Sequence, residues 1–315
     1  MVTGGDRIAV ACIFCLLVVN ALGCAQSPKS PTLDEYGSPP TYDDLVERQN
    51  TRVASIERFW TFVSLELKWI DEDGDARTEV GAGNFIFERP DRAALTFEKL
   101  GEVYFWAGSD EDRFWLFEGG ESSVGYVGRN ANAFSPCADP LPFTAHPSEL
   151  LDLFGILELP TSEELDSDEL VVGASDEWNA WVVTIPGRFS GRRVYFEPEE
   201  WLPIRVELID PVDERVLVAS DLANYTPLAM ETLPRFAAPV VPTRMVVAAG
   251  GSQDGGYVRM TGREPADSPK ARSFNPRVFS FEAVRRNMRP KRLVILDAAC
   301  PDPALELGDG ASSGG

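Results

Sequence analysis

Two stretches, "VYFWA" (Val103–Ala107) and "RFWLF" (Arg113–Phe117), place bulky apolar residues at consecutive positions. Both are bounded by Gly, Asp and Ser turns and read as strands, in which successive side chains point to opposite faces. A sheet built from them is apolar on both sides. It needs two covers: helices on one side, and either more protein or a ligand on the other. The aromatic residues therefore either line an apolar cavity or fill an ordinary sheet core. Trp60, Phe105, Trp106, Trp115 and Trp181 are the candidates for cavity lining.

The rest of the chain agrees with a mainly β (α+β) class. Thr41 followed by Asp44 has the pattern of a capping box, and Leu45, Val53, Ile56 and Trp60 then fall near one helical face. This spacing predicts a helix from Tyr42 to about Trp60. "SLELKWI" (64–70) and "EVGAGNFIFE" (79–88) flank "DEDGDART" and read as a hairpin. "AALTFEKL" and "SVGYVGR" add strands on either side of the two opening stretches. "HPSELLDLFGIL" (146–157) has Leu150, Leu151, Phe154 and Leu157 at helical spacing with Ser148 as its expected N-cap. Strands resume in "WNAWVVTIPG", "RRVYFEPEE", "PIRVELIDP" and "RVLVASDLANY". "RMVVAAG", "GYVRMTG", a short helix near 281–287 and "RLVILDA" complete the chain. With no repeat and no linker after Pro40, residues 41–300 are expected to form one domain. The tail 301–315 is expected to be disordered.

The amino terminus bears on location. Twelve apolar residues, Ile8 to Val19, are too few to span a bilayer but match a secretory h-region. They lead into Ala21-Leu22-Gly23-Cys24, which resembles the lipobox of bacterial lipoproteins, with Cys24 the residue to be acylated. Ordinary signal-peptidase cleavage near Gly23 is the alternative. Residues 1–23 would then be a signal peptide, and the Pro/Ser-rich stretch 24–40 a tether. Ala25, rather than Asp, after the cysteine resembles outer-membrane retention signals, so the expected address is the outer membrane facing the periplasm. The membrane is a partner through that lipid, and no other cofactor is expected.

Charge and cysteine usage exclude several activities. At a net charge of −21 the chain is an unlikely match for nucleic acid, which needs a basic surface. Of five cysteines, Cys12 and Cys15 leave with the signal and Cys24 takes lipid. Cys137 and Cys300 remain, either as a disulfide in an oxidising envelope or as two buried thiols. "DEDGD" lacks the Gly and Glu of a calcium loop where Ala76 and Ala82 stand, and reads as a solvated turn. His146 is the one histidine, no G-x-S-x-G surrounds a serine, and phosphate-binding glycine loops are absent. No metal site and no enzyme activity are expected. Paired carboxylates among the 50 acidic residues are not singled out by any pattern.

A leading helix, then "NFIFERPDRAALTF" (84–97), "GSDEDRFWLF" (108–117), the short "PSELLDLFG" helix, and finally "EEWLPIRVELIDPVDERVLVASDLANY" (199–225) follow one another in this order. That order resembles the LolA/LolB-like lipoprotein carriers and lipid-binding lipoproteins of the bacterial envelope, over about residues 42–230. The resemblance implies a curved antiparallel half-barrel sheet covered by two or three helices, with an apolar cavity for acyl chains of a lipid or lipoprotein. The region after about 230 is an extension beyond it. A structural or interaction lipoprotein, its cavity filled by side chains from that extension, is the alternative.

Overall fold

The computed structural model describes residues 32–300, apart from 71–72, 91, 121–122, 134, 136, 139–145, 166–169, 187–189, 252, 254–255 and 269–274. Two compact units, Met1–Gly37 and Ser38–Gly315, are distinguished. In the first, Leu33–Tyr36 forms one helical turn inside the stretch expected to be an extended tether. Asp34 and Glu35 in that turn place negative charge where a helix start favours it. The expected signal peptide, Cys24 and the tail 301–315 lie outside the described residues.

In the second unit the Thr41 capping box forms: the Thr41 hydroxyl accepts from the Asp44 amide at 3.2 Å, and the Asp44 carboxylate accepts from the Thr41 amide at 3.2 Å. The helix it starts runs Tyr42–Val53 and stops seven residues before Trp60. Val53 and Ile56 fit helical spacing, but from Phe59 to Leu65 every second residue is buried and the β-branched and aromatic run "RFWTFV" pairs with strands on both sides. The strand pattern overrides the helical one. Ser148 likewise lies inside a 3-10 turn, Pro147–Glu149, rather than capping a long helix, and the helix after it is only Leu150–Leu153.

Among the described residues fourteen strands form one curved, unclosed sheet. In chain order they are β1 (Arg58–Ile70), β2 (Ala76–Glu88), β3 (Arg92–Lys99), β4 (Glu102–Ser109), β5 (Arg113–Glu118), β6 (Val124–Arg129), β7 (Gly173–Ser175), β8 (Ala180–Pro186), β9 (Gly191–Phe196), β10 (Pro203–Ile209), β11 (Val216–Pro227), β12 (Val240–Ala249), β13 (Gly256–Ala266) and β14 (Arg292–Ile295). The hairpin around "DEDGD" has the expected partners, with Ile70 opposite Ala76.

The spatial order is 14-6-5-4-3-2-1-13-12-11-10-9-8-7. Strands from beyond residue 230 therefore sit in the middle of the sheet. β13 pairs with β1 (Met260 opposite Leu65) and β12 pairs with β11 (Met245 opposite Leu222). The supposed extension is the bridge between the two runs of strands. One pair also departs from the antiparallel expectation: β14 runs parallel to β6, Leu293 opposite Gly125.

The two apolar faces have different covers. On one face, called the inner face, Phe59 and Phe85 pack with Phe154, the last stacked on Phe85 at 3.9 Å. The leading helix is fastened beside them through side-chain hydrogen bonds to carbonyls of the 155–160 connection: Gln49 to Leu157 at 2.9 Å, Asn50 to Leu159 at 2.8 Å and Tyr42 to Pro160 at 2.6 Å.

On the outer face the C-terminal segment lies over β4–β6. Its helix, Phe281–Met288, capped by Ser280, buries Phe281 and Val284 against Trp115, Phe117 and Val127. Phe279 in the preceding 3-10 turn covers Ile86 and Ala94. Asp297 fastens the end of this cover. It accepts from Arg129 Nε at 2.8 Å and Asn132 Nδ2 at 2.7 Å, and although burial pushes its pKa up, these bonds hold it below the usual carboxylate value.

Cys137 and Cys300 are joined in a disulfide, Cα–Cα 5.1 Å, across 163 residues of sequence. Closing so long a loop constrains the unfolded chain and adds about 3–5 kcal/mol. Replacing both cysteines by serine is expected to lower the unfolding free energy by that amount in urea titration, and reductant is expected to bring the native chain to the same midpoint.

Candidate functional site

Burial along β1 falls from 1% exposure at Phe59 to 38% at Trp69, so the inner face is packed solid at one end and opens toward the β1–β2 hairpin. A cavity of about 760 Å³ occupies the open end. Leu67 and Trp69 of β1, Leu95 and Phe97 of β3, Phe105 and Ala107 of β4 and Leu116 of β5 make one wall. Val258 of β13 is the cross-strand neighbour of Leu67, and Val247 of β12 and Val218 of β11 carry the lining on from there. Pro147, Leu150 and Leu153 close the inner end.

Local sequence explains the wall. The turn Leu100-Gly101, with φ of 54° and 84°, makes a two-residue hairpin that pairs Lys99 with Glu102 and Glu98 with Val103, and a bulge just before Glu98 then moves the register by one and sets Phe97 opposite Phe105. Their rings lie 5.7 Å apart. Gly81 on β2 gives the Phe97 ring its place, since a Cβ there would stand 2.4 Å from the ring. The lining contains two acidic residues, Glu79 and Glu118. Glu79 is paired with Lys99 at 3.3 Å, and Lys99 also lies over the Tyr104 ring.

The inner end is held by buried polar groups. The Arg192 guanidinium is bonded to the Asp152 carboxylate, fixing the Leu150–Leu153 helix to β9. Burial pushes the Asp152 carboxyl up, against the opposing pull of Arg192. The Glu149 carboxylate accepts from the Ser190 hydroxyl at 2.5 Å and the His146 amide at 2.8 Å. Burial is the larger effect on it and also raises its pKa. His146 is fully buried with its ring edge-on to Phe114 at 4.6 Å.

The five aromatic candidates do not come together. Phe105 lines the cavity. Trp181 is buried at 3% exposure and lies outside the lining. Trp60, Trp106 and Trp115 are on the outer face: Trp115 and Trp106 under the C-terminal helix, Trp60 beside Phe279. Phe105 and Trp106 are neighbours in a strand, as are Trp115 and Leu116, and only one of each pair can face inward. Phe97, Leu116 and the three valines were not singled out in sequence. The Leu100-Gly101 hairpin alone pairs Phe97 with Tyr104, so the bulge that brings it to Phe105 hides it from a local reading, and valines on a strand carry no signal.

Among the described residues no group of three or more His, Cys, Asp or Glu is arranged to hold a metal ion. No described helix is long and apolar enough to cross a membrane. Asp71 and Glu72 of the acidic hairpin lie outside the described residues.

No protein-family model and no curated protein matches this sequence. Among solved structures the chain is similar to a LolA superfamily protein from Nitrosomonas europaea, at 12% identity and a TM-score of 0.45, covering 78% of this chain and 99% of that one. It is also similar to a putative outer membrane lipoprotein-sorting protein domain from Vibrio parahaemolyticus, at 12% identity and 0.45, covering 77% and 97%. A DUF1329 family protein from Desulfovibrio piger follows at 11% and 0.39, covering 81% and 99%.

Because Glu149 has a raised folded pKa, it binds its proton more tightly folded than unfolded. Its contribution is complete below the ordinary glutamate range and is lost as pH rises through the raised value. Hydrogen exchange of the 146–157 amides, corrected for intrinsic rate, is expected to speed up as pH rises above the ordinary glutamate range. Glu149→Gln is expected to reduce that dependence.

Proposed function

We propose that this is a lipid-anchored protein of the bacterial envelope, attached through Cys24 at the outer membrane and facing the periplasm. Its cavity holds acyl chains of a lipid or lipoprotein and carries out no catalysis. The observation that carries the reading is the cavity: an apolar space of about 760 Å³, within the roughly 300–1,000 Å³ of small-molecule sites, on a sheet whose other face is covered by protein over β4–β6. Each methylene buried there contributes about 0.8 kcal/mol.

The alternative, a structural lipoprotein with a filled cavity, needs the chain after Pro227 to supply the filling. That segment instead contributes Val247 and Val258 to the wall and Phe281 and Val284 to the outer cover, which supports the binding reading.

Native mass spectrometry of the full-length protein, followed by organic extraction, tests it. Stoichiometric bound lipid is expected, and a clean apo mass with no uptake of added fatty acyl compounds would contradict it. Two neighbouring variants separate binding from folding. Phe105→Glu, in the lining, is expected to lose lipid uptake by at least tenfold. Trp106→Ala, on the opposite face, is expected to cost about 3 kcal/mol of stability and leave uptake unchanged.

A further inference from the structure

The charges at the cavity are of one sign. Of its lining residues only Glu79 and Glu118 carry charge, both at the open end of the walls. The two are not equivalent. Glu79 has a cation 3.3 Å away in Lys99, and Lys99 is further occupied by the Tyr104 ring at 5.7 Å. Glu118 ends β5 on the same face as Phe105, its cross-strand neighbour, with an exposed carboxylate that meets no Lys or Arg among the described residues. No Lys or Arg belongs to the lining.

An amphiphile seated with its chain along Phe97, Phe105 and Leu116 therefore leaves its head group beside an uncompensated carboxylate. The interaction is that of a solvent-exposed charge at short range, and the net charge of −21 adds to it at longer range. A negative head group is repelled at the position the chain fixes for it. A positive one makes a charge-assisted hydrogen bond.

Building on the acyl-binding reading, we propose that the cavity selects amphiphiles whose head group carries an ammonium and no net negative charge, and that Glu118 is the residue that sets this preference. Acyl length contributes affinity and Glu118 contributes the choice between chains of equal length. The preference is electrostatic, so it weakens as ionic strength rises.

Three probes of one chain length, dodecylamine, dodecanol and dodecanoate, are compared on the full-length protein below their micellar concentrations, by displacement of a neutral environment-sensitive dye. The expected order is amine, then alcohol, then carboxylate, with at least a tenfold span at low salt that narrows at high salt. Glu118→Lys is expected to reverse the order of amine and carboxylate. Glu79→Gln, which releases Lys99 toward the mouth, is expected to raise dodecanoate affinity several-fold, and circular dichroism confirms that both variants fold.

Equal affinity for amine and carboxylate in the native protein, or an order that Glu118→Lys does not change, would overturn the proposal while leaving acyl binding intact. Failure of all three probes to displace the dye would instead overturn the acyl-binding reading itself. Lysophosphatidylethanolamine against lysophosphatidylglycerol repeats the comparison with membrane head groups. A preference for the first assigns the ammonium to a phospholipid, and its absence assigns it to a simple amine.

Discussion

A strand that carries aromatic residues at consecutive positions exposes apolar surface on whichever side is left open, and every such ring costs on the order of 1.5–3 kcal/mol if it stays in water. β4 and β5 are strands of this kind, and the arrangement of the chain follows from covering them twice. The outer cover is made of protein: the C-terminal helix over Trp115 and Phe117, latched by Asp297 on Arg129 and by the Cys137–Cys300 disulfide. The inner cover is made of protein only part of the way. Phe154 and the leading helix close one end, and the other end is left as a cavity. Satisfying one face with side chains is what leaves the other free to be satisfied by a ligand.

The bridging strands complete the cavity. Without β12 and β13 the run β1–β6 and the run β7–β11 would share no ladder, and Val247 and Val258 would be missing from its lining. The inner end depends in turn on the buried Asp152–Arg192 pair, since either charge left alone there would be strongly destabilising. The cavity thus depends on residues from nearly the whole length of the second unit.

What was legible in the sequence was local. The Thr41–Asp44 cap, the hairpin around "DEDGD" and the strands of the two aromatic stretches need only neighbouring residues to specify them. The helix was drawn too long because Val53, Ile56 and Trp60 fit a period of 3.6 by coincidence, while the period of two that begins at Phe59 is enforced by partners far away in sequence, Glu88 to Phe85 and Arg263 to Ala266. The need for two covers could be read from "VYFWA" and "RFWLF", but not which phase faced inward. That choice depends on the direction of curl and on a helix some 170 residues downstream, so Trp106 and Trp115 were assigned to a cavity that Phe105 and Leu116 line. The insertion of β12 and β13, and the parallel β14, rest on long-range pairing and leave no short-range mark.

The central claim is that acyl chains occupy the inner face and not the outer one, and locating a heavy atom on the ligand tests it most directly. Crystals of the protein loaded with a terminally brominated twelve-carbon chain are expected to show one anomalous peak between the Phe97–Phe105 wall and Val247 and Val258. A peak instead beneath the C-terminal helix near Trp106 and Val284, or no ordered bromine at full loading, would contradict the account.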